Sequence, residues 1–407
     1  MNCGLLGRKL SHSYSPQIHR YLADYTYKLY EKEPEQLQDF LKSGEFIGLN
    51  VTIPYKKDVA VLCDELSDRA KMLGAVNTVV RRQDGTLIGH NTDYFGFLSM
   101  LQKTELSVCG KKVLVLGSGG ASATVTAVLK QLDANVVVIS RSGENHYGNL
   151  DQHNDARLIV NTTPVGMYPN VGVSPVDLDI FPYLEGVLDV VYNPARTQLL
   201  MDAEERGLIT ENGLWMLVAQ AKESAEWFTG RNIDDSKIQT IHSILRNQME
   251  NTVLIGMPGC GKSTIAKLLA QRLGKTFVDA DTQIELLAGM TIPDIFAVNG
   301  EDGFRQWESK VLAGLGMQSG LVIATGGGCV TRPENYRALH QNGKIFWIER
   351  DIEQLPTDGR PLSQKDKLKE MYKIRKPLYA SFADYRFVND GTVAQIVDAI
   401  CTSEVSL

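Results

Sequence analysis

The amino-acid sequence predicts an α/β fold with parallel sheets. Short apolar runs typical of strands alternate with helical patterns along the whole chain. Two glycine-rich turns, at 117–122 and 256–263, each follow a predicted strand and precede a predicted helix. Because backbone N–H groups at such turns bind phosphate, we expect two separate nucleotide sites on one chain.

The individual elements follow from apolar periodicity in chain order. The helix over 234–249 has Asp234, Asp235 or Ser236 as its N-cap, and a new strand follows it directly. We therefore place a domain boundary near 249–251 and expect domains over 1–248 and 251–407. The predicted strands are 49–52, 112–116, 135–139, 156–161, 252–255, 277–278 and 321–324, and the predicted helices lie near 14–25, 56–72, 94–103, 120–132, 234–249 and 263–273.

Composition excludes several classes of protein. The chain has 407 residues, 43% hydrophobic and 22% charged, which suits a globular protein with more than one core. A formal net charge of −6 argues against a protein that coats nucleic acid. No apolar run approaches the roughly 18 residues of a membrane span. The start lacks the order of a signal peptide, and six scattered cysteines form no CxxC pair. We expect a cytoplasmic chain with reduced thiols and neither a membrane nor a nucleic-acid partner.

The first glycine-rich turn predicts a Rossmann-type dinucleotide site. Gly117, Gly119 and Gly120 follow the strand 112–116, a variant of the GxGxxG pattern in which the backbone approaches a pyrophosphate. A tight turn without a ligand would use the same glycines. The next strand ends at Arg141, where an NAD site usually carries an acidic residue, and an arginine suits the 2′-phosphate of NADP.

Three polar clusters precede this turn, and each lies at the end of a predicted strand. They occupy 11–16, 50–56 and 75–78 with 90–93. Their hydroxyls, amides and charges suit a small polyhydroxylated acid. Lys56 and Asp93 are candidates for a proton-transfer pair, since an ammonium beside a carboxylate can protonate a carbonyl oxygen. Spacing alone equally allows two unrelated surface charges.

The second glycine-rich turn is a complete G-x-x-x-x-G-K-S phosphate loop. Lys262 is expected to reach the β- and γ-phosphates, and Ser263 to bind Mg²⁺. Asp279 and Asp281 follow the next strand, where one carboxylate could position Mg²⁺ and the other accept a hydroxyl proton. Any single arginine downstream could be a solvated charge, but the set suits an anionic substrate and a transferring phosphoryl group: Arg305, Arg360 and Arg375, with the bare backbone of 326–328.

Residues 1 to about 248 resemble shikimate dehydrogenase. The resemblance is carried by Ser-x-Ser-Pro at 13–16 and by the motifs at 50–56, 75–78, 91–93, 117–122, 161–167, 189–194 and 216–221. It implies NADPH-dependent reduction of 3-dehydroshikimate, a substrate domain of about 1–103 and 222–248, and an NADP-binding domain of about 104–221. It assigns the catalytic pair to Lys56 and Asp93. The implied substrate residues are Ser13, Ser15, Thr52, Lys56, Asn77, Asp93 and Gln220, and the implied NADP residues are Gly117, Ser118, Gly119, Gly120, Ala121, Arg141 and Tyr192.

Residues 251–400 resemble shikimate kinase. Beyond the phosphate loop, the resemblance is carried by Asp279-x-Asp281, the stretch 295–308, Gly326–Gly328, Arg360-Pro-Leu and Arg375-Lys-Pro-Leu-Tyr. It implies phosphorylation of shikimate by MgATP, with Lys262 and Asp281 catalytic. The implied ATP residues are Gly256, Gly259, Cys260, Gly261, Lys262, Ser263, Thr264 and Arg360; the implied shikimate residues are Asp281, Arg305, Gly327, Gly328 and Arg375; and Mg²⁺ is assigned to Ser263 and Asp279.

Both halves depart from these families. Only 143–155 separates the Arg141 loop from the next strand, and Glu144 on that loop opposes a 2′-phosphate. The stretch 349–360 is also short, and it has no obvious basic residue to stack on adenine. The sequence predicts a bifunctional dehydrogenase and kinase that needs NADP(H), ATP and Mg²⁺. The alternatives are an NAD-dependent quinate/shikimate dehydrogenase fused to another small-molecule kinase, and a non-catalytic regulator. A homo-oligomer is compatible with the sequence.

Overall fold

A computed structural model of the chain describes residues 1–10, 13–355 and 365–405. The chain divides into two compact units, one of Met1–Tyr192 with Thr197–Ile244 and one of Asn193–Arg196 with Leu245–Leu407. Both units are α/β with parallel strand pairs, which confirms the predicted fold class. The sequence-derived domain ranges 1–248 and 251–407 stay proposals. Within the described ranges, no helix is long and apolar enough to cross a membrane.

The first unit opens with a six-stranded mixed sheet. Its strands lie in the order β2-β1-β3-β5-β6-β4, and β5 runs antiparallel to β3 and β6. The bounds are β1 (Asn2–Gly7), β2 (Thr26–Glu31), β3 (Gly48–Val51), β4 (Glu65–Leu66), β5 (Thr78–Arg81) and β6 (Leu87–His90), with helices α1 (Ser15–Leu22), α2 (Leu37–Lys42), α3 (Lys56–Leu62) and α4 (Asp68–Leu73).

The helix predicted over 56–72 is wrong as a single element, because the chain forms two helices there. Cys63 is extended and ends α3, and the short strand β4 then pairs with β6. The Ser67 hydroxyl accepts a hydrogen bond from the N–H of Ala70 and so begins α4. A serine in a helical pattern is a local N-cap signal, which the apolar periodicity alone did not reveal.

The second sheet of the first unit has five strands, all parallel, in the order β11-β10-β9-β7-β8. Val113 and Val115 of β7 pack in one apolar cluster and Leu114 and Leu116 in another, so both faces of the sheet are buried. The bounds are β7 (Lys112–Leu116), β8 (Asn135–Ile139), β9 (Leu158–Asn161), β10 (Gly186–Asp189) and β11 (Ile209–Asn212), with helices α5 (Asp93–Lys103), α6 (Gly120–Gln131), α7 (Gln198–Glu204), α8 (Leu214–Thr229) and α9 (Ser236–Met249).

The connection from β8 to β9 is short, as the sequence indicates. It contains an isolated bridge between Ser140 and His146 and a single 3₁₀ turn over Leu150–His153. No further strand pairs with β8, so among the described residues β8 is the edge of the sheet. The loop that carries Arg141 therefore leaves the sheet at an open edge.

The second unit contains one five-stranded parallel sheet in the order β13-β14-β12-β15-β16. The predicted strand at 321–324 is confirmed, and those at 252–255 and 277–278 are each slightly longer. Helix α12 is interrupted at Gly300, where φ is 68°. The bounds are β12 (Asn251–Ile255), β13 (Thr276–Asp279), β14 (Leu321–Ala324), β15 (Gly343–Glu349) and β16 (Tyr385–Val388), with helices α10 (Lys262–Leu273), α11 (Ala280–Ala288), α12 (Ile292–Gly316), α13 (Glu334–His340), α14 (Lys365–Phe382) and α15 (Val393–Val405).

Candidate active sites

The first unit contains a polar cavity of about 470 Å³, here called the first cavity. It lies where β1 and β3 end and α3 and α5 begin, as expected for a ligand of an open α/β sheet. The structure brings together in its wall every substrate residue that the sequence assigned to this half, together with Tyr192: Ser13, Ser15, Thr52, Lys56, Asn77, Asp93 and Gln220.

Lys56 and Asp93 form an ion pair inside the first cavity. The Nζ atom of Lys56 donates to Oδ2 of Asp93 over 2.6 Å. Lys56 is the first residue of α3 and Asp93 the first of α5, where the helix dipole stabilises the carboxylate. Their side chains are 30% and 17% exposed, so both remain accessible to a ligand while being partly shielded from water. The pair can therefore transfer a proton to or from a bound molecule.

A buried network of amides and hydroxyls supports the floor of the first cavity. Oδ1 of Asn77 accepts the N–H of Thr92 over 2.7 Å, which fixes the Asn77 side chain. The Ser224 hydroxyl lies within 2.9 Å of polar atoms on Asn50, Thr78 and Thr92. The sequence analysis did not single out Ser224, although it follows Gln220 by one helical turn on α8. That spacing was the available signal.

Lys9 also lines the first cavity, and the sequence analysis missed it. It is exposed in the loop after β1, next to a leucine whose N–H is bound by Glu31. A single lysine in a loop gives no periodic or motif signal, because most such side chains are simply solvated.

The dinucleotide turn after β7 leaves an open backbone edge. Gly117 has φ of 106°, and a Cβ there would approach the side chains of Thr162 and Thr163 to about 3 Å. A Cβ on Gly119 or Gly120 would meet nothing within 4 Å, so space is free beside the N-terminus of α6. Unpaired N–H groups facing open space fit the pyrophosphate of a dinucleotide. Ser118 and Ala121 belong to the same turn.

A buried carboxylate, Asp189, ties together the loops beside this turn. It accepts hydrogen bonds from Nδ2 of Asn161, the N–H of Val191 and the hydroxyl of Thr197, over 2.8–3.0 Å. Burial raises its pKa to about 7, against the effect of these three donors. Asn161 in turn accepts from the N–H and hydroxyl of Thr163. The network fixes the segment that leads to Tyr192 in the first cavity.

Arg141 lies exposed just beyond the end of β8. Glu144, three residues later on the same loop, is exposed as well. An anion held by Arg141 would thus be attracted by one side chain of this loop and repelled by another, and only the guanidinium can bind it in a bidentate manner.

The second unit contains a cavity of about 660 Å³, here called the second cavity. It is lined by the phosphate loop, by the residues after β13 and β14, and by Arg375 of α14. The lining includes these predicted residues: Gly259, Gly261, Lys262, Ser263, Thr264, Asp279, Asp281, Arg305, Gly327 and Gly328. Gly256 and Cys260 are buried beside it. The predicted Arg360 lies outside the described residues.

The phosphate loop has the backbone shape that a phosphate requires. Gly256, Gly259 and Gly261 all have positive φ, at 144°, 84° and 102°. A Cβ on Gly256 would lie 2.3 Å from the carbonyl oxygen of Ile348, so no larger residue fits there without a shift. Nζ of Lys262 donates to the carbonyl oxygens of Gly256 and Met257 over 2.9 and 3.1 Å. These groups place an ammonium within the loop, at the N-terminus of α10.

The oxygen atoms beside this loop fit Mg²⁺. The Ser263 hydroxyl donates to Oδ2 of Asp279 over 2.7 Å, so the two hard ligands are already adjacent. Across the described residues there is no group of three or more His, Cys, Asp and Glu side chains that could hold a metal alone. This matches a magnesium ion that is shared with substrate phosphates.

Asp281 is the other carboxylate after β13; it lines the second cavity, and its Oδ1 is buried without a hydrogen-bond partner. Burial, followed by the nearby charge of Asp279, raises its pKa. Lys262 and Arg305 act in the opposite direction. A partly shielded carboxylate with a free oxygen and a raised pKa is suited to accept a proton from a substrate hydroxyl.

Two arginines face the same cavity and are held in place. Arg305 donates to the fully buried Glu308 over 2.6 Å and to Glu301 over 3.3 Å. Arg375 donates to the carbonyl oxygen of Gly327 over 3.0 Å. Burial raises the pKa of Glu308, and the Arg305 guanidinium opposes this shift. In the sequence analysis, Glu308 is only the last position of the motif at 295–308 and has no role of its own.

The three consecutive glycines in this cavity each make room for a different neighbour. A Cβ on Gly326 would lie 2.6 Å from Glu308, and one on Gly327 would lie 2.5 Å from Pro258. A Cβ on Gly328 would lie 2.2 Å from the guanidinium of Arg305. No side chain fits at these three positions, because Glu308, Pro258 of the phosphate loop and Arg305 already pack against the backbone there.

Two family models of known proteins match this chain, one in its first half and one in its second half. The family model described as shikimate dehydrogenase substrate binding domain matches residues 5–79, and the one described as shikimate kinase matches residues 258–403. The shikimate dehydrogenase (NADP(+)) of Clostridium beijerinckii is 36% identical over 267 residues, which cover 61% of this chain and 98% of that protein.

Two solved structures show the same similarity. Shikimate dehydrogenase 1 from Peptoclostridium difficile is 38% identical, with a TM-score of 0.55, and the match covers 60% of this chain and 97% of that one. A shikimate 5-dehydrogenase from Thermus thermophilus in complex with NADP(H) and shikimate is 31% identical, with a TM-score of 0.55, and the match covers 60% and 98% of the two chains.

Proposed function

This chain belongs to the shikimate dehydrogenase family and carries a shikimate kinase domain after it, and on that premise we propose that it catalyses two consecutive reactions. The first reduces 3-dehydroshikimate to shikimate with NADPH. The second phosphorylates shikimate to shikimate 3-phosphate with ATP. One observation carries the proposal: each unit has its own cavity, and each cavity holds a nucleophile-activating or proton-transferring group beside polar substrate contacts.

In the first cavity, Lys56 and Asp93 are the proposed catalytic pair. NADPH supplies the hydride when bound at the turn after β7. The Lys56 ammonium donates a proton to the carbonyl oxygen of the substrate, which becomes a hydroxyl. Asp93 accepts the hydrogen bond of that ammonium and keeps it directed into the cavity. The proposed substrate contacts are Ser13, Ser15, Thr52, Asn77 and Gln220.

In the second cavity, Asp281 is the proposed proton acceptor. MgATP supplies the phosphoryl group, with Mg²⁺ held by Ser263 and Asp279. Lys262 stabilises the negative charge of the phosphates, and the loop N–H groups cradle them. Arg305 and Arg375 hold the substrate carboxylate, since guanidinium groups bind carboxylates in a bidentate manner. Gly327 and Gly328 are the proposed backbone contacts of the substrate, and their lack of side chains leaves room for Pro258 and Arg305.

A non-catalytic regulator is less well supported by the structure than the bifunctional enzyme. All four groups that chemistry needs are present, and each faces a cavity: Lys56, Asp93, Lys262 and Asp281. A protein that only binds these molecules has no need for an ion pair aimed at a substrate carbonyl. No disulfide joins the six cysteines, and we propose that the protein acts in the cytoplasm, where thiols are kept reduced. Absence of nucleic-acid and membrane partners, and formation of a homo-oligomer, stay proposals.

A coupled assay tests the two activities together. The purified chain would receive 3-dehydroshikimate, NADPH, ATP and Mg²⁺, and products would be followed by mass spectrometry. We expect shikimate 3-phosphate only when both NADPH and ATP are present. Accumulation of shikimate without phosphorylation would contradict the kinase assignment. Turnover with NADH in place of NADPH, together with oxidation of quinate, would favour the NAD-dependent alternative.

Gly328→Ala should weaken shikimate binding in the kinase reaction. The added methyl group would occupy the position of the Arg305 guanidinium, which Glu308 and Glu301 already hold from the other side. The arginine must then turn away from the cavity. We expect the KM for shikimate to rise about tenfold, the cost of losing a charged hydrogen bond, with a smaller effect on the KM for ATP.

Gly314→Ala is the matched control for this substitution. Gly314 lies in the same helix as Arg305, and a Cβ there would meet nothing within 4 Å. Alanine is the better helix former, so this variant should retain wild-type kinetics and equal or higher stability. An unchanged KM for shikimate in Gly328→Ala, measured in the same assay, would contradict the assignment of Arg305 as a substrate-binding residue.

A further inference from the structure

The first cavity has an electrostatic feature that the proposed reaction does not use. Its charged lining residues are Lys9, Lys56 and Asp93. Lys56 and Asp93 neutralise each other across 2.6 Å, so the net positive charge of the cavity comes from Lys9 alone. The proposed substrate is a carboxylic acid that is ionised at neutral pH. A cavity with one uncompensated cation complements one carboxylate.

Among the described residues, no carboxylate is paired with the Lys9 ammonium. The neighbouring Arg8 pairs with Glu33 over 2.9 Å. Glu31 is occupied by the N–H of Leu10 over 2.7 Å, and it does not line the cavity. No ion pair is found for Lys9 in the described part of the chain. Glu33 and Glu31 are thus engaged with the sequence neighbours of Lys9.

Two hydroxyl groups that could bind a carboxylate line the same cavity as Lys9. Lys9 follows β1 after one residue, and the hydroxyls are those of Ser13 and Ser15. The N–H of Ser15 donates to the hydroxyl oxygen of Ser13 over 3.2 Å, which orients that side chain. A carboxylate bound to these two hydroxyls would thus share the cavity with the Lys9 side chain.

We propose that Lys9 is a substrate-binding residue of the dehydrogenase half, which attracts and holds the substrate carboxylate. The inference rests on the proposed dehydrogenase reaction. Because Lys9 is exposed, its contribution is a screened attraction, which affects association and KM more than the chemical step. Proton transfer stays assigned to Lys56 and Asp93, which are paired with each other.

The test compares a charged substrate with an uncharged one. Lys9→Gln and the wild type would be assayed for oxidation of shikimate and of its methyl ester with NADP⁺, over a range of KCl concentrations. We expect Lys9→Gln to lower kcat/KM for shikimate about fivefold at low salt, through KM, and to flatten its salt dependence. The ester should be oxidised equally by both proteins. Lys9→Arg should behave as the wild type does.

Lys57→Gln is the matched control, since Lys57 is exposed on α3 and does not line the cavity. It removes the same charge nearby and should leave both substrates unaffected. Equal losses on shikimate and ester in Lys9→Gln would overturn the proposal, because only shape would then matter. So would an unchanged kcat/KM for shikimate. Failure of the wild type to oxidise shikimate at all would instead reject the proposed function itself.

Discussion

Lys56→Ala is expected to abolish the dehydrogenase reaction and leave the kinase reaction intact. The substitution removes the ammonium that is paired with Asp93, and with it the proposed proton donor for the substrate carbonyl. General acid catalysis of this kind contributes about 10²–10⁴ in rate, so we expect kcat for 3-dehydroshikimate to fall about 10³-fold. Absorbance of NADPH reports this reaction, and formation of shikimate 3-phosphate from added shikimate reports the other.

The second activity of the chain makes this a controlled experiment. A variant that simply failed to fold would lose shikimate phosphorylation as well, whereas loss of one group in the first cavity would not. Lys57→Ala, one position along on the exposed side of α3, should retain both activities. Retention of more than about a tenth of kcat in Lys56→Ala would exclude Lys56 as the general acid.

The two phosphate-binding turns could be predicted from sequence because their shape is encoded locally. The positive φ of Gly117, Gly256 and Gly261 follows from glycine itself, and the helix that begins after each turn follows from apolar periodicity. Strand and helix identity within a few residues of such a turn depends little on the rest of the chain. This is why β12, β13 and β14 could be predicted from the sequence, whereas β15 and β16 were not predicted.

The assembly of the first cavity could not be predicted from spacing. Lys56 and Asp93 are 37 residues apart, and that number does not say whether β5 and β6 between them turn back or continue. The antiparallel pairing of β5 with both neighbours is what brings α3 and α5 together. Family resemblance supplied this information, whereas composition and periodicity did not.

Besides Lys9, sequence reasoning missed two residues that act through other residues. Ser224 has no motif of its own, yet it joins three polar side chains under the cavity. Glu308 follows Arg305 by one helical turn and fixes its guanidinium. Such a role depends on which side chains a helix buries, and Glu at this spacing is equally common on solvated faces.

The helix break between α3 and α4 shows the converse error. The apolar pattern of 56–72 continues across the break, so periodicity predicted one helix. The pairing of β4 with β6 overrides it, since a short strand can satisfy backbone groups that the helix would otherwise use. Tertiary pairing thus decided a boundary that local propensity left undecided.

Lys262→Ala is expected to produce the opposite separation of activities. Nζ of Lys262 is the charged donor within the phosphate loop, where it is held by the carbonyl oxygens of Gly256 and Met257. Without it, the negative charge that develops on the transferring phosphoryl group loses its closest cation. Removal of one such preorganised donor costs about 10²–10³ in kcat, and we expect the kinase reaction to fall by that factor.

The control for Lys262→Ala is Lys267→Ala on the same helix. Lys267 is exposed, and its ammonium lies over the Phe277 ring, 5.6 Å from the ring centre. The Lys267→Ala substitution therefore removes an equal charge without altering the phosphate loop. This control should keep both activities. Oxidation of shikimate with NADP⁺ should be unchanged in Lys262→Ala, because that reaction belongs to the first cavity. Lys262→Ala could also lose both reactions while its thermal unfolding matches that of the wild type. The two cavities would then not act independently, and the assignment of one reaction to each cavity would be wrong.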